Sequence, residues 1–207
     1  MKNRFLIAFL FGSLIFAWTG CEKAPETTPN DNTFTDSRDG QVYKTVVIGT
    51  KTWMAENLRF NVAGSISNLN STAIEYGRLY TFDEASSACP NGWHLPTDQE
   101  WKALEMALGM SATDADDTGY RGIIASGMRS TAGWDNNNNG SNTSGFNALP
   151  SGGAINGLSW DSSLANFWTA TESTSTRAWH RALGTNQGVY RGTEPKTLQY
   201  SCRCIKN

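Results

Sequence analysis

Cys89-Pro-Asn-Gly-Trp-His-Leu-Pro-Thr-Asp-Gln-Glu-Trp101 is the stretch on which the reading of the whole chain turns. Inside it, Thr97-Asp98-Gln99-Glu100 is a capping box: the threonine oxygen accepts an otherwise orphaned backbone N–H while the glutamate reaches back to the cap's own amide. Pro96 precedes the cap, and Trp101, Leu104 and Leu108 follow on one helical face. Gly109 can supply the left-handed residue that ends the element. The pattern predicts a short helix whose Trp101 stripe lies in the core.

Upstream, Thr81-Phe82-Asp83-Glu84 is a second capping box and predicts a second short helix. Residues 41–48 alternate as a strand, with Val42, Lys44, Val46 and Ile48 on one face and Tyr43 and Val47 on the other. Thr52-Trp53-Met54 would return along it and bury Trp53 and Met54. Residues 61–70, 111–118 and 135–145 have loop composition, and Trp134 is expected to pin the last of these to the body. Downstream, residues 167–170, 178–183, 188–191 and 199–205 read as strands separated by Gly, Asn, Ser and Pro turns, as in a twisted antiparallel sheet.

The composition agrees. The 207 residues include 8 Trp, 6 Tyr and 9 Phe with 20 Gly, which favours a loop-heavy β or α+β architecture over a helix bundle. With 17 basic against 19 acidic groups there is no field to steer a polyanion, so nucleic acid is not expected as a partner. Lys2 and Arg4 precede an apolar run over residues 5–18, and small Thr19 and Gly20 come directly before Cys21, the pattern of a secretory signal. A cysteine at that place resembles the bacterial lipobox, although Trp18 stands where an aliphatic residue is usual. Residues 1–20 are therefore expected to be removed and Cys21 lipidated, which takes the net charge from −2 to −4 through loss of Lys2 and Arg4. Residues 21–36 are too polar to bury anything and read as a flexible tether, leaving one domain over residues 37–207. Glu22 carries no recognisable inner-membrane retention signal, so the expected location is the outer membrane, with the leaflet open.

Several stretches together, Trp53-Met-Ala-Glu-Asn-Leu58, Tyr76-Gly-Arg-Leu-Tyr-Thr81, Cys89 to Trp101, Gly145-Phe-Asn-Ala-Leu-Pro150, Phe167-Trp-Thr-Ala-Thr-Glu172 and Cys202-Arg-Cys-Ile-Lys206, resemble the Fibrobacter succinogenes major paralogous domain. The Trp93 to Trp101 segment and the ending near Arg203 are also similar to the formylglycine-generating-enzyme superfamily. What the resemblance implies is an α+β, C-type lectin-like fold: a twisted antiparallel sheet, two short helices and long loops, with the chain ends near each other. It also implies a disulfide between Cys89 and Cys204, the recurring pair of the family, with Cys202 as the rival partner or a buried free thiol. A fold hosts many functions, so the site is argued separately.

The Cys202-Arg-Cys204 pair sits too near the end of the sequence to match the copper-binding cysteines of the formylglycine enzymes, and no catalytic set is expected. His94 and His180 are the only histidines, too few for a three-histidine zinc site, and no Gly-x-Ser-x-Gly elbow is present. Asp135, Asn137, Asn139 and Gly140 fit the first half of an EF-hand loop, but Phe146 stands where the bidentate Glu belongs. Asp114, Asp116 and Asp117 make an equally weak claim on calcium, so no metal and no cofactor are expected.

The most suggestive residues are Arg177, Trp179, His180, Arg181, Asn186, Gln187, Tyr190, Arg191, Glu194 and Lys196, because flat aromatic surface beside forked donors grips sugars or peptides. Trp179 shares a strand face with Leu183 and reads equally well as core. Related lectin-like lipoproteins include proteins diversified by retroelements in this carboxy-terminal stretch, though Ser201-Cys-Arg-Cys departs from their ending. The expectation is a lipid-anchored envelope binding module for a glycan or protein ligand and not an enzyme. A formylglycine-type oxidoreductase and a structural or fimbria-associated subunit are the competing readings.

Overall fold

A computed structural model describes residues 32–68, 73–135, 137–160 and 163–207. The chain divides into two units, Met1–Asp31 and Asn32–Asn207. The expected signal segment, Cys21 and most of the expected tether lie outside the described residues.

Strand β1 (Thr33–Thr35) pairs antiparallel with β2 (Val42–Ile48), and Asp36 between them is fully buried, accepting from both the backbone and the guanidinium of Arg38. The domain therefore begins near Asn32, and residues 33–36 belong to it and not to a tether. Phe34 in β1 is packed 4.9 Å from Trp93, which supplies the apolar contact that a polar-looking segment seemed to lack.

β3 (Lys51–Met54) returns along β2 as expected. β2 does not keep one buried face: Tyr43 is buried on one side, Ile48 on the other, and Val42 and Val47 are exposed. The sheet twists between two cores, so burial changes sides along the strand. The remaining strands are β4 (Ile66–Ser67), β5 (Arg78–Tyr80), β6 (Trp93–His94), β7 (Gly119–Arg121), β8 (Gly153–Ile155), β9 (Leu158–Trp160), β10 (Ala165–Glu172), β11 (Arg177–Leu183), β12 (Val189–Pro195), β13 (Tyr200–Ser201) and β14 (Ile205–Lys206). One sheet has the order β1-β2-β3-β14-β6, a second β4-β5-β13-β10-β11-β12-β7, and β8-β9 form a hairpin. The expected antiparallel sheet is in fact mixed, because β13 lies parallel to β10 through Phe167 and Ser201.

Both capping boxes form. Helix α1 (Phe82–Ala88) is capped by Thr81 and Glu84, and α2 (Asp98–Ala107) by Thr97 and Glu100. Gly109, at φ +104°, adopts the left-handed conformation that closes α2. Two further short helices, α3 (Ala112–Asp116, capped by Ser111) and α4 (Ala125–Met128), occupy segments with loop-like composition, and a 3₁₀ turn spans Ile74–Tyr76.

Strand alternation sends neighbouring residues into two cores. Trp53, Trp101, Phe146 and Phe167 meet in the first at centroid distances of 5.3 to 6.1 Å, with Leu104, Met110, Met128 and Trp134 around them. Met54, Tyr43, Tyr80, Phe82, Trp93, Trp168 and Tyr200 form the second. Trp134 anchors its loop as expected, its indole N–H donating to Ser130 Oγ at 3.0 Å and the Ala148 carbonyl at 3.1 Å.

The last residues join the sheets. β13 belongs to the seven-stranded sheet and β14 to the five-stranded one, with Cys202-Arg203-Cys204 between them. Arg203 is fully buried, donates to Asn57 Oδ1 at 2.8 Å and to the carbonyls of Phe146 and Asn147, and lies over the Phe146 ring. Cys204 is bonded to Cys89, 115 residues away in sequence.

Candidate ligand groove

The residues singled out between 177 and 196 fall on both faces of the seven-stranded sheet, because β11 and β12 are regular antiparallel strands. Arg181 is opposite Arg191 and Trp179 opposite Thr193, while His180 is opposite Gly192, Ala182 opposite Tyr190 and Ala178 opposite Glu194. Side chains alternate, so the first set points toward α2 and the second toward the other face.

The α2 side is occupied by an ion network. Arg181 is fully buried and donates to Asp98 Oδ1 at 2.8 Å and Glu105 Oε1 at 2.7 Å. Arg191 grips the Asp98 carboxylate with both Nε (3.0 Å) and Nη2 (2.8 Å). Arg121 makes a bidentate pair with Glu105 at 3.0 and 2.9 Å. Burial alone would raise the pKa of Asp98, but the hydrogen bonds from Arg191 and the charge of Arg181 bring it down to about 2. Arg181 and Arg191 are thus committed to holding the sheet on α2 and are not presented to a ligand. The Arg191 guanidinium also lies 3.9 Å above the ring of half-buried Trp179.

Others are likewise spoken for. Lys196 reaches Glu172 at 2.6 Å and covers the Phe82 ring. Arg177 donates to Thr193 and lies 3.7 Å from Glu194. The side chains of Asn186 and Gln187 are exposed in the β11–β12 turn, whose carbonyls accept from Arg129 and the Ala125 amide.

On the opposite face, His180, Tyr190 and Glu194 are brought together, and they are joined by residues absent from the sequence-level set: Tyr120, Leu164, Asn166 and Tyr200. These line a groove of about 230 Å³. An aromatic row runs across the strands: Tyr120 to Tyr190 at 5.2 Å, Tyr190 to His180 at 5.5 Å, His180 stacked on Tyr200 at 5.4 Å, and Tyr200 to Trp168 at 4.8 Å. Gly192 makes room for it, since a Cβ there would lie 2.5 Å from the Tyr190 ring. The rim is exposed and the floor is buried: Tyr120 is 49% exposed, whereas His180 is 3% exposed.

His180 is the unusual member. Its Nδ1 is buried without a hydrogen-bond partner. Burial, with the nearby charges of Arg181 and Arg177, brings its pKa down to about 3, so the ring is neutral at physiological pH. A buried polar atom left unpaired costs on the order of 1–3 kcal/mol, which the surrounding aromatic packing has to offset.

The cysteines make a second cluster. Cys202 Sγ lies 3.7 Å from Cys89 Sγ and 3.9 Å from Cys204 Sγ, the closest grouping of potential metal ligands among the described residues. With Cys89 and Cys204 joined, one thiol remains, and burial pushes it up to about 12, far from the thiolate that binds metal or attacks. In the candidate calcium loops, Asn139 Oδ1 accepts the Trp134 amide, and Asp116 is paired with Lys102 at 2.6 Å.

A family model described as the Fibrobacter succinogenes major domain matches residues 46–206, most of the chain. The chain belongs to that family. No curated protein and no solved structure matches it. In this Fibrobacter succinogenes major domain the matched region includes Cys89, Cys202, Cys204 and the entire groove, while β1 and the start of β2 lie before it. Tyr120 and Tyr200 were hidden in the sequence because each sits in a strand of two or three residues, too short for alternation to register.

Proposed function

We propose that this Fibrobacter succinogenes major domain is a lipid-anchored envelope binding module, and that the groove on the face of the seven-stranded sheet away from α2 is where it recognises its ligand. The observation that carries the reading is a concave site in which an exposed tyrosine rim meets an aromatic floor and two placed polar side chains, Asn166 and Glu194, the combination of apolar walls and a few polar groups by which concave sites hold ligands. The C-type lectin-like fold is part of the proposal. Its support is the pairing of amino-terminal and carboxy-terminal strands in one sheet, beside short capped helices.

Binding is favoured over turnover by the chemistry of the groups present. A histidine titrating near 3 is a poor general base near neutrality, and the thiol beside the disulfide is held protonated. The Lys2–Cys21 leader supports export, lipidation and outer-membrane residence. No helix among the described residues is long and apolar enough to cross a membrane. Radiolabelled palmitate incorporation that vanishes in Cys21→Ala tests the anchor. Glycan-array and pull-down screening of the native protein tests the groove: the expected result is a ligand lost on Tyr190→Ala, and retention of every ligand by that variant would overturn the assignment.

A further inference from the structure

Resting on the groove as the recognition site, we infer that its ligand is a neutral sugar ring within a glycan. The first argument is size. About 230 Å³ is below the roughly 300–1,000 Å³ that encloses a drug-sized molecule, so the groove takes one ring of a longer ligand. The second is topology. An extended peptide adds to an open sheet edge, here β4 or β7, but the groove floor crosses β10, β11 and β12, whose backbone groups already pair with each other. Recognition on the floor must therefore be made by side chains.

The third argument is charge. Among the described residues lining the groove there is no lysine or arginine, and its one acid, Glu194, already has Arg177 at 3.7 Å. A sulfated, phosphorylated or carboxylated ligand would meet that carboxylate, and the one cation beside it, Arg177, is already engaged with Glu194 and Thr193. A hydroxyl, by contrast, carries no charge and both donates and accepts, so the hydroxyls of a neutral ring can donate to Glu194 and pair with the polar groups of the rim. The Tyr190 ring, edge-on to Tyr120 with an interplanar angle of 65°, adds a π-surface whose negative face attracts the polarised C–H groups of a pyranose.

The test uses the full chain, purified in detergent, titrated with neutral oligosaccharides of glucose, xylose and N-acetylglucosamine, with sulfated and carboxylated counterparts, and with a hexapeptide library. A neutral oligosaccharide is expected to bind and to lose about tenfold in affinity on Tyr120→Ala, an exposed ring whose removal leaves the core untouched, and again on Tyr190→Ala. Tighter binding of the charged counterparts, or sugar binding indifferent to both substitutions, would overturn the inference. Tyr120-dependent binding of peptides alone would overturn the sugar while leaving the groove standing. If nothing binds in a Tyr120-dependent way, both fall.

Discussion

At the scale of single residues, His180 links recognition to stability. It is fully enclosed and its pKa is about 3, so the unfolded chain takes up a proton near the ordinary histidine value of about 6.5 while the folded chain does not. More protons are bound in the unfolded state below that pH, so stability is complete above it and is lost as pH falls toward 3. Between pH 7 and pH 5 the loss should be about 2 kcal/mol. Urea unfolding of the parent and of His180→Gln at both pH values checks this: the variant should lack that part of the slope. The chemistry of His180 is visible in the sequence, but its burial is not. A histidine beside Arg181 looks like surface until strand register places the arginine under α2 and the imidazole among Tyr190, Tyr200 and Trp168.

At the scale of elements, α2 shows which signals are local. Its capping box, its Trp101 stripe and its closing glycine were legible because each depends on residues within a few positions of one another. Removing the cap oxygen with Thr97→Ala should cost about 1 kcal/mol in thermal or chemical unfolding. The buried carboxylates of the same helix were not legible. Asp98 and Glu105 lie two turns apart on the face that also carries Trp101, yet charged residues ordinarily mark the solvent side, and only the return of β11 and β12 brings Arg181 and Arg191 to meet them. Asp98→Asn leaves those guanidiniums buried without their carboxylate and should destabilise the domain by about 3–5 kcal/mol. Since the Asp98 pKa is about 2, the network's contribution persists down to about pH 4 and is lost as pH falls through 2. β1 was missed for the opposite reason: Thr33-Phe34-Thr35 has one apolar residue in a polar segment, and its partner Trp93 is far along the chain.

At the scale of the whole molecule, three sulfurs hold the carboxy-terminal crossing against α1. The bond between Cys89 and Cys204 closes a loop of 115 residues, for which chain entropy gives about 4–5 kcal/mol of stabilisation. Cys89→Ser should forfeit nearly all of that. Cys204→Ser should forfeit less, because Cys202 Sγ already lies 3.7 Å from Cys89 and can take over the bond under oxidising conditions. Mass mapping of disulfides in both variants, beside their unfolding curves, checks this, with a free Cys89 in Cys204→Ser as the contrary result. The α+β class, the two main helices and the family were readable from motifs whose parts lie close together. The sharing of one terminal stretch between two sheets was not, since it is a property of pairings more than a hundred residues apart.

That sharing also dictates a timetable. β3 and β6 flank β14, and β5 and β10 flank β13, so each large sheet has a gap in its middle until residues 200–206 arrive. Nearly all of the aromatic residues precede that stretch, so the chain must hold them together before either gap can be filled. Until then both layers stay open, a long-range pairing of the kind that slows folding and leaves strand edges exposed.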